Sequence, residues 1–158
     1  MRKPWRAEEA AWREVAPARQ EAAPPPAGFP RDRVLCDGGS RGNPGPAAIA
    51  AVLFAPTGEE RDRRAAAIGH ASAAEAEYRA LLLGLELAAA NGIEALDVCS
   101  DSRLATAGVQ GPGPDRPDLS ALAALVRAAA GQFADVGWLW HPRAQNREAD
   151  ALVRDLLW

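Results

Sequence analysis

The sequence predicts an α/β domain in which five strands form one mixed sheet with helices packed on its faces. Three observations predict it. Strand-like runs come in a block, apolar at residues 34–36 and 47–55 and more polar at 59–68, after which strands and helices alternate. Residues 72–90 carry Leu81, Leu82, Leu83, Leu85 and Leu87 nearly all round one helix, and such a helix needs a sheet to cover it. Finally, 158 residues with 48% hydrophobic and 25% charged content suit one globular core rather than two.

Residues 1–32 stand apart as an N-terminal arm. Pro4 opens a short helix in which Trp5, Trp12 and Val15 or Ala16 share one side, and Ala22-Ala23-Pro24-Pro25-Pro26-Ala27-Gly28 reads as a stiff linker. The arm is expected to lie on the domain's own surface; contact with another protein or with the substrate is the alternative.

Residues 33–158 form the domain proper. The first strand ends in Asp37 and a Gly-rich loop, and the second in Ala55-Pro56-Thr57-Gly58, which has type I turn chemistry. The third strand is charged enough to suit a sheet edge. Ser72-Ala73-Ala74-Glu75 is a capping box that opens the long helix, and Asn91-Gly92 closes it. A fourth strand at 93–100 and a short helix at 101–109 follow, before the break Gly111-Pro112-Gly113-Pro114. Leu119, Leu122, Val126 and Ala129 mark a helix over 118–132, residues 136–140 a fifth strand, and Ala149, Leu152, Val153, Leu156 and Leu157 one face of a last helix from about residue 146.

Composition narrows the function. No apolar run approaches the roughly 20 residues of a membrane span, and the N-terminus lacks the apolar stretch of a signal peptide, so a cytoplasmic protein without a membrane partner is expected. Cys36 and Cys99 read as buried thiols, not as a disulfide framework. A net charge of −3 and a pI near 5.4 mean that any nucleic-acid role rests on a local site rather than on the overall field.

Three acids sit where elements begin or end: Asp37, Asp101 and Asp150. A fourth, Glu77, lies one turn into an otherwise apolar helix, where a carboxylate needs solvent or a partner. Four carboxylates from four elements can hold a pair of divalent ions, which clamp the attacking water and the leaving oxygen of a phosphodiester. Two of the acids and one nearby asparagine also have plainer readings. Asp101 can cap its helix, Asp150 can favour the positive end of a helix dipole, and Asn146 can serve as an N-cap. The stretch Asp37-Gly38-Gly39-Ser40-Arg41-Gly42-Asn43-Pro44-Gly45-Pro46 fits neither a dinucleotide nor a P-loop signature, since a strand and not a helix follows it.

Four blocks, beginning at Asp37, at Ala76-Glu77-Tyr78-Arg79, at Ser100-Asp101-Ser102-Arg103 and at Pro142-Arg143-Ala144-Gln145-Asn146, stand in an order and spacing that resemble the type 1 ribonuclease H family, particularly its compact bacterial and archaeal members. The resemblance runs from about Arg33 to Leu157. It implies a ribonuclease H-like sheet of three antiparallel and then two parallel strands. It further implies a metal-dependent endoribonuclease that cuts the RNA strand of RNA/DNA hybrids, with Asp37, Glu77, Asp101 and Asp150 holding two Mg2+ or Mn2+ ions. Water then attacks in line, leaving 3′-hydroxyl and 5′-phosphate ends. By the same carry-over the Gly38 and Gly39 backbone and the Glu77 side chain meet RNA 2′-hydroxyls, and Asn43 and Ser72 the DNA strand. Ser40 joins the substrate-binding set, and so do Arg143 and Asn146, which match a Pro-Arg-x-x-Asn pattern of the compact members. A monomer is expected.

Departures from the family pattern are specific. Ala73 and Ala74 stand where many members have asparagines that read the DNA strand, and residues 111–117 lack a lysine-rich extension, which predicts modest binding and a steep loss of activity at high salt. Trp140 takes the place of a mobile histidine, leaving His141, one step along, as the candidate for a catalytic or product-release role; an exposed loop histidine is its alternative. His70 reads as structural or solvated, and Trp138 and Trp140 as core. A non-catalytic nucleic-acid-binding module of the same fold, and a nuclease acting on another RNA duplex, are the competing functions. Four mutually repelling carboxylates disfavour the first of these.

Overall fold

The computed structural model describes residues 28–111, 113–114 and 116–158, together with the backbone of residues 11–14. Its strands are β1 Ala11–Glu14, β2 Asp32–Ser40, β3 Gly45–Phe54, β4 Glu60–Ala71, β5 Ala95–Ser100 and β6 Asp135–Trp140. Its helices are α1 Ala73–Ala90, α2 Arg103–Gln110, α3 Pro117–Ala130 and α4 Arg147–Leu157, with a one-turn 3-10 helix at Arg143–Gln145. The strand order is β1-β4-β3-β2-β5-β6. Strands β2, β3 and β4 are antiparallel, and β5 and β6 run parallel to β2, so the five strands read from the sequence form the expected mixed sheet.

Both faces of that sheet are covered, which is why its central strands are nearly continuous apolar runs. On one face Val34, Cys36, Ile49, Ala51 and Leu53 pack beneath α1, with α3 beyond it. On the other Leu35, Ala48, Ala50, Val52 and Cys99 meet Ala149, Leu152, Val153 and Leu157 of α4. Cys36 and Cys99 are buried free thiols, as expected. The capping box forms: Ser72 Oγ accepts the Glu75 N–H at 3.1 Å. The turn after β3 closes with the Gly58 N–H donating to the Ala55 carbonyl at 2.8 Å.

Three expectations are corrected. The helix drawn through Trp12 gives way at residues 11–14 to a strand that pairs antiparallel with Arg64–Ala67 of β4. Tertiary pairing overrides the local periodicity there, because an open sheet edge offers unpaired N–H and C=O groups to any adjacent extended segment. Strand β4 is therefore shielded over this stretch rather than being a free edge. Pro4, Trp5, Val15, Ala16 and residues 22–27 of the linker lie outside the described residues. The Gly-rich stretch is likewise not all loop, since β2 continues through Ser40, pairing Asp37–Ser40 with Ala47–Ala50. Finally, Trp140 is 40% exposed rather than core. It ends an edge strand, where the Arg103 guanidinium rather than apolar core stacks on its ring at 3.7 Å, and its Nε1–H donates to the Asp101 carbonyl at 2.9 Å. Trp138 does pack against the core cluster. Among the described residues no helix is long and apolar enough to cross a membrane.

Candidate active site

Sheet register assembles the carboxylates. The parallel pairing of Cys36 with Ser100 sets the next residues side by side, Asp37 inside β2 and Asp101 just past the carboxyl end of β5, where open α/β sheets bind their ligands. Glu77 arrives from α1 because the helix backbone lies directly on β2 at Gly38. A Cβ at Gly38 would stand 2.3 Å from the Ala76 carbonyl oxygen and 2.8 Å from the Glu77 nitrogen, so any larger residue would push the helix away. One oxygen from each of Asp37, Glu77 and Asp101 falls within 4.8 Å of the others.

Asp150 comes from the first part of α4 and lines the same cleft, about 510 Å³ in volume, as Asp37, Gly38, Gly39, Ser40, Glu77 and Arg143. Its Oδ2 is 3.0 Å from Arg154 Nε. The start of α4 is anchored from beneath by Asn146. That wholly buried side chain donates through Nδ2 to the Cys36 carbonyl at 2.9 Å, and its Oδ1 meets His141 Nε2 at 3.2 Å.

The acids raise one another's affinity for protons. Burial, reinforced by Asp101 and Asp150, lifts Asp37 from 3.8 to about 7, and burial with Asp37 and Asp101 nearby lifts Glu77 as well. Arg143 offsets both, with its Nε 3.5 Å from Asp101 Oδ2. Burial lowers His141, against an opposing pull from Asn146 and Asp101.

Divalent cations fit this donor set. Glu77 Oε2 is buried without a partner, and Asp101 Oδ2 has no hydrogen bond beyond its 3.5 Å ion pair with Arg143; buried carboxylate oxygens so poorly satisfied are costly until a cation takes them. Hard oxygen ligands on separate rigid elements are the chemistry that Mg2+ and Mn2+ prefer.

Comparison with known proteins decides the family. The family model described as Reverse transcriptase-like matches residues 35–156. The solved N-terminal RNase H domain of Rv2228c from Mycobacterium tuberculosis is 37% identical with a TM-score of 0.77, covering 80% of this chain and 93% of that one. The chain belongs to the ribonuclease H family. RNase H1 from Halobacterium salinarum is 36% identical with a TM-score of 0.78, covering 80% and 96% of the two chains. LC11-RNase H1, solved in complex with an RNA/DNA hybrid, is 30% identical with a TM-score of 0.75, covering 79% and 95%. Against whole proteins the chain spans less: 35% of the bifunctional protein Rv2228c, and 61% of the ribonuclease HI of Halobacterium salinarum.

Within this ribonuclease H frame the remaining candidate residues divide. Gly38, Gly39, Ser40 and Arg143 line the cleft, and the Ser40 hydroxyl is buried without a partner. Asn43 and Ser72 meet at the N-terminus of α1, where exposed Asn43 Oδ1 accepts the Ala73 N–H at 3.0 Å and Ser72 caps the helix. Asn146 needs correction. With no exposed surface and both amide ends engaged inside the protein it is a strut beneath the site, not a substrate contact, and its side chain makes no capping bond to α4. His141 is neither an exposed loop residue nor part of the cleft lining; it is 8% exposed and turned onto Asn146. The capping alternative for Asp101 fails, because Ser102 caps α2 by accepting the Ala105 N–H. Sequence reasoning missed Arg154 and Trp158, which line the cleft with Asp150. Their positions four and eight residues beyond Asp150 were the available signal.

Proposed function

We propose that this chain is a metal-dependent endoribonuclease that hydrolyses the RNA strand of RNA/DNA hybrids. The observation that carries the reading is the convergence of Asp37, Glu77 and Asp101 within 4.8 Å, with the buried Glu77 Oε2 left without a partner, in a chain of the ribonuclease H family. Asp37, Glu77, Asp101 and Asp150 would hold the metal. When bound, a pair of Mg2+ or Mn2+ ions supplies an activated water and charge neutralisation for in-line displacement at phosphorus, giving 3′-hydroxyl and 5′-phosphate ends.

The chain's own residues do the rest. Arg143, 74% exposed on the side chain, is placed to meet a phosphate at the cleft mouth. The Gly38 and Gly39 backbone, Ser40 and Glu77 face the wide minor groove of a hybrid, where 2′-hydroxyls distinguish RNA from DNA. Asn43 and Ser72 are offered to the DNA strand, and His141 and Asn146 hold α4 in place. That a homologue was solved with an RNA/DNA hybrid supports the substrate class.

An end-labelled RNA/DNA hybrid, duplex RNA and single-stranded RNA, each incubated with magnesium, manganese or chelator, test the reading. Internal cuts confined to the hybrid and lost with chelator are expected. Binding without cleavage would overturn it in favour of a binding module, and cuts in duplex RNA would reassign the substrate.

A further inference from the structure

The cleft does not end at the carboxylates. Asp150, Arg154 and Trp158 succeed one another at four-residue intervals along α4, a spacing that aligns side chains on one face, and all three line the cleft. Trp158 is 75% exposed, more than any other large exposed hydrophobic residue among those described. Just past Ser40 of the cleft lining, where β2 gives way to the turn into β3, exposed Arg41 sets its guanidinium 6.0 Å from the Trp158 ring centre. That is the outer limit of a cation–π contact, so both groups keep open faces. Core packing does not account for an indole in water on the rim of a cleft that also holds Asp37, Glu77, Arg143, Asp150 and Arg154.

We propose that Trp158 and Arg41 form a second grip on the nucleic-acid strand whose scissile phosphodiester lies at the carboxylates, with Trp158 packing on sugar and base edges and Arg41 taking a phosphate. The proposal rests on the hybrid-nuclease reading above. Continuity of the cleft names the occupant: a strand laid across Asp37 and Asp150 and extended along α4 meets Trp158 next. Eight helical residues span about 12 Å, roughly three nucleotide steps along one strand. The indole therefore touches neighbours of the scissile nucleotide and not the reacting atoms. In a chain of net charge −3, a local cation beside an aromatic face is the economical means of holding a polyanion.

Trp158→Ala, Trp158→Phe and Arg41→Ala test this, with hybrid binding measured by anisotropy in chelator and cleavage measured separately in magnesium. Trp158→Ala should weaken binding and raise KM by roughly five- to twentyfold with kcat little changed, and Trp158→Phe should recover most of the loss. Arg41→Ala should lower the slope of log affinity against log salt by about one. Hybrid should also quench indole emission in the parent chain, and Trp158→Phe should lose that component. If the parent cleaves hybrid while Trp158→Ala binds it unchanged and Trp158→Phe keeps the full quench, the grip is overturned and the nuclease reading survives. If the parent neither binds nor cleaves hybrid, both fall.

Discussion

The side-chain amide of Asn146 donates to the backbone carbonyl of Cys36 at 2.9 Å, joining two points 110 residues apart. Cys36 precedes Asp37 in β2, and Asn146 stands four residues before Asp150, so this one bond sets the spacing between two acids of the site. Asn146→Ala would leave a buried carbonyl and the His141 ring unpaired. A loss of about 1–3 kcal/mol in urea unfolding is expected, with kcat on a hybrid falling more than KM rises. His141→Ala should cost less, since the bond to Cys36 remains.

Asp101→Asn should abolish hybrid cleavage. Because Ser102, not Asp101, caps α2, the substitution removes no cap, and relieved repulsion should leave metal-free stability unchanged or raise it by roughly 0.5–2 kcal/mol. Denaturant unfolding in chelator checks this, and a large destabilisation would mark Asp101 as structural.

Stability without metal should fall as pH rises from about 4 to 7. Asp37 is held at about 7 in the fold against 3.8 as a model carboxyl, so the folded state binds its proton more tightly. That contribution is present at low pH and disappears as pH climbs through the folded value; Glu77 shifts the same way. Magnesium, which takes the ionised form, should stabilise the protein more at pH 8 than at pH 5. Thermal melts with and without magnesium across this range test the sign.

Gly38→Ala should disrupt both fold and site, because its methyl would overlap the Ala76 carbonyl at 2.3 Å and force α1 off β2. A loss of several kcal/mol, about the size of severe overpacking, is expected together with loss of cleavage, measured by unfolding and by the hybrid assay. Gly92→Ala gives a contrast: nothing lies within 4 Å of its added Cβ, though its φ of +73° carries a backbone cost.

Deleting residues 1–27 should leave hybrid cleavage largely intact, since the site is built from β2, β5, α1 and α4. It should also uncover the β4 edge at Arg64–Ala67 and so promote association, read by light scattering.

What the sequence made legible follows from where the information is local. The capping box at Ser72 and the stop at Asn91-Gly92 bounded α1, and acids on separate elements pointed to the candidate site before any contact was known, although β2 runs on past Asp37. Less local features were hidden. The strand at residues 11–14 exists only because β4 offers it an edge, while its own side-chain spacing favoured a helix. Asn146 carries a surface residue's chemistry, and its burial depends on a carbonyl 110 residues away. Trp140 looked like core by alternation with Trp138, yet β6 is an edge strand and its last residue meets the Arg103 guanidinium instead of apolar core. Trp158 and Arg41 meet only in the folded chain.

The most direct test of the shared metal site is anomalous diffraction from crystals of the chain soaked in Mn2+. Two peaks about 4 Å apart are expected, contacted by Asp37, Glu77, Asp101 and Asp150, the last released from Arg154. Saturating manganese that leaves Glu77 Oε2 and Asp101 Oδ2 without an ion, or that binds only elsewhere on the surface, would contradict the account.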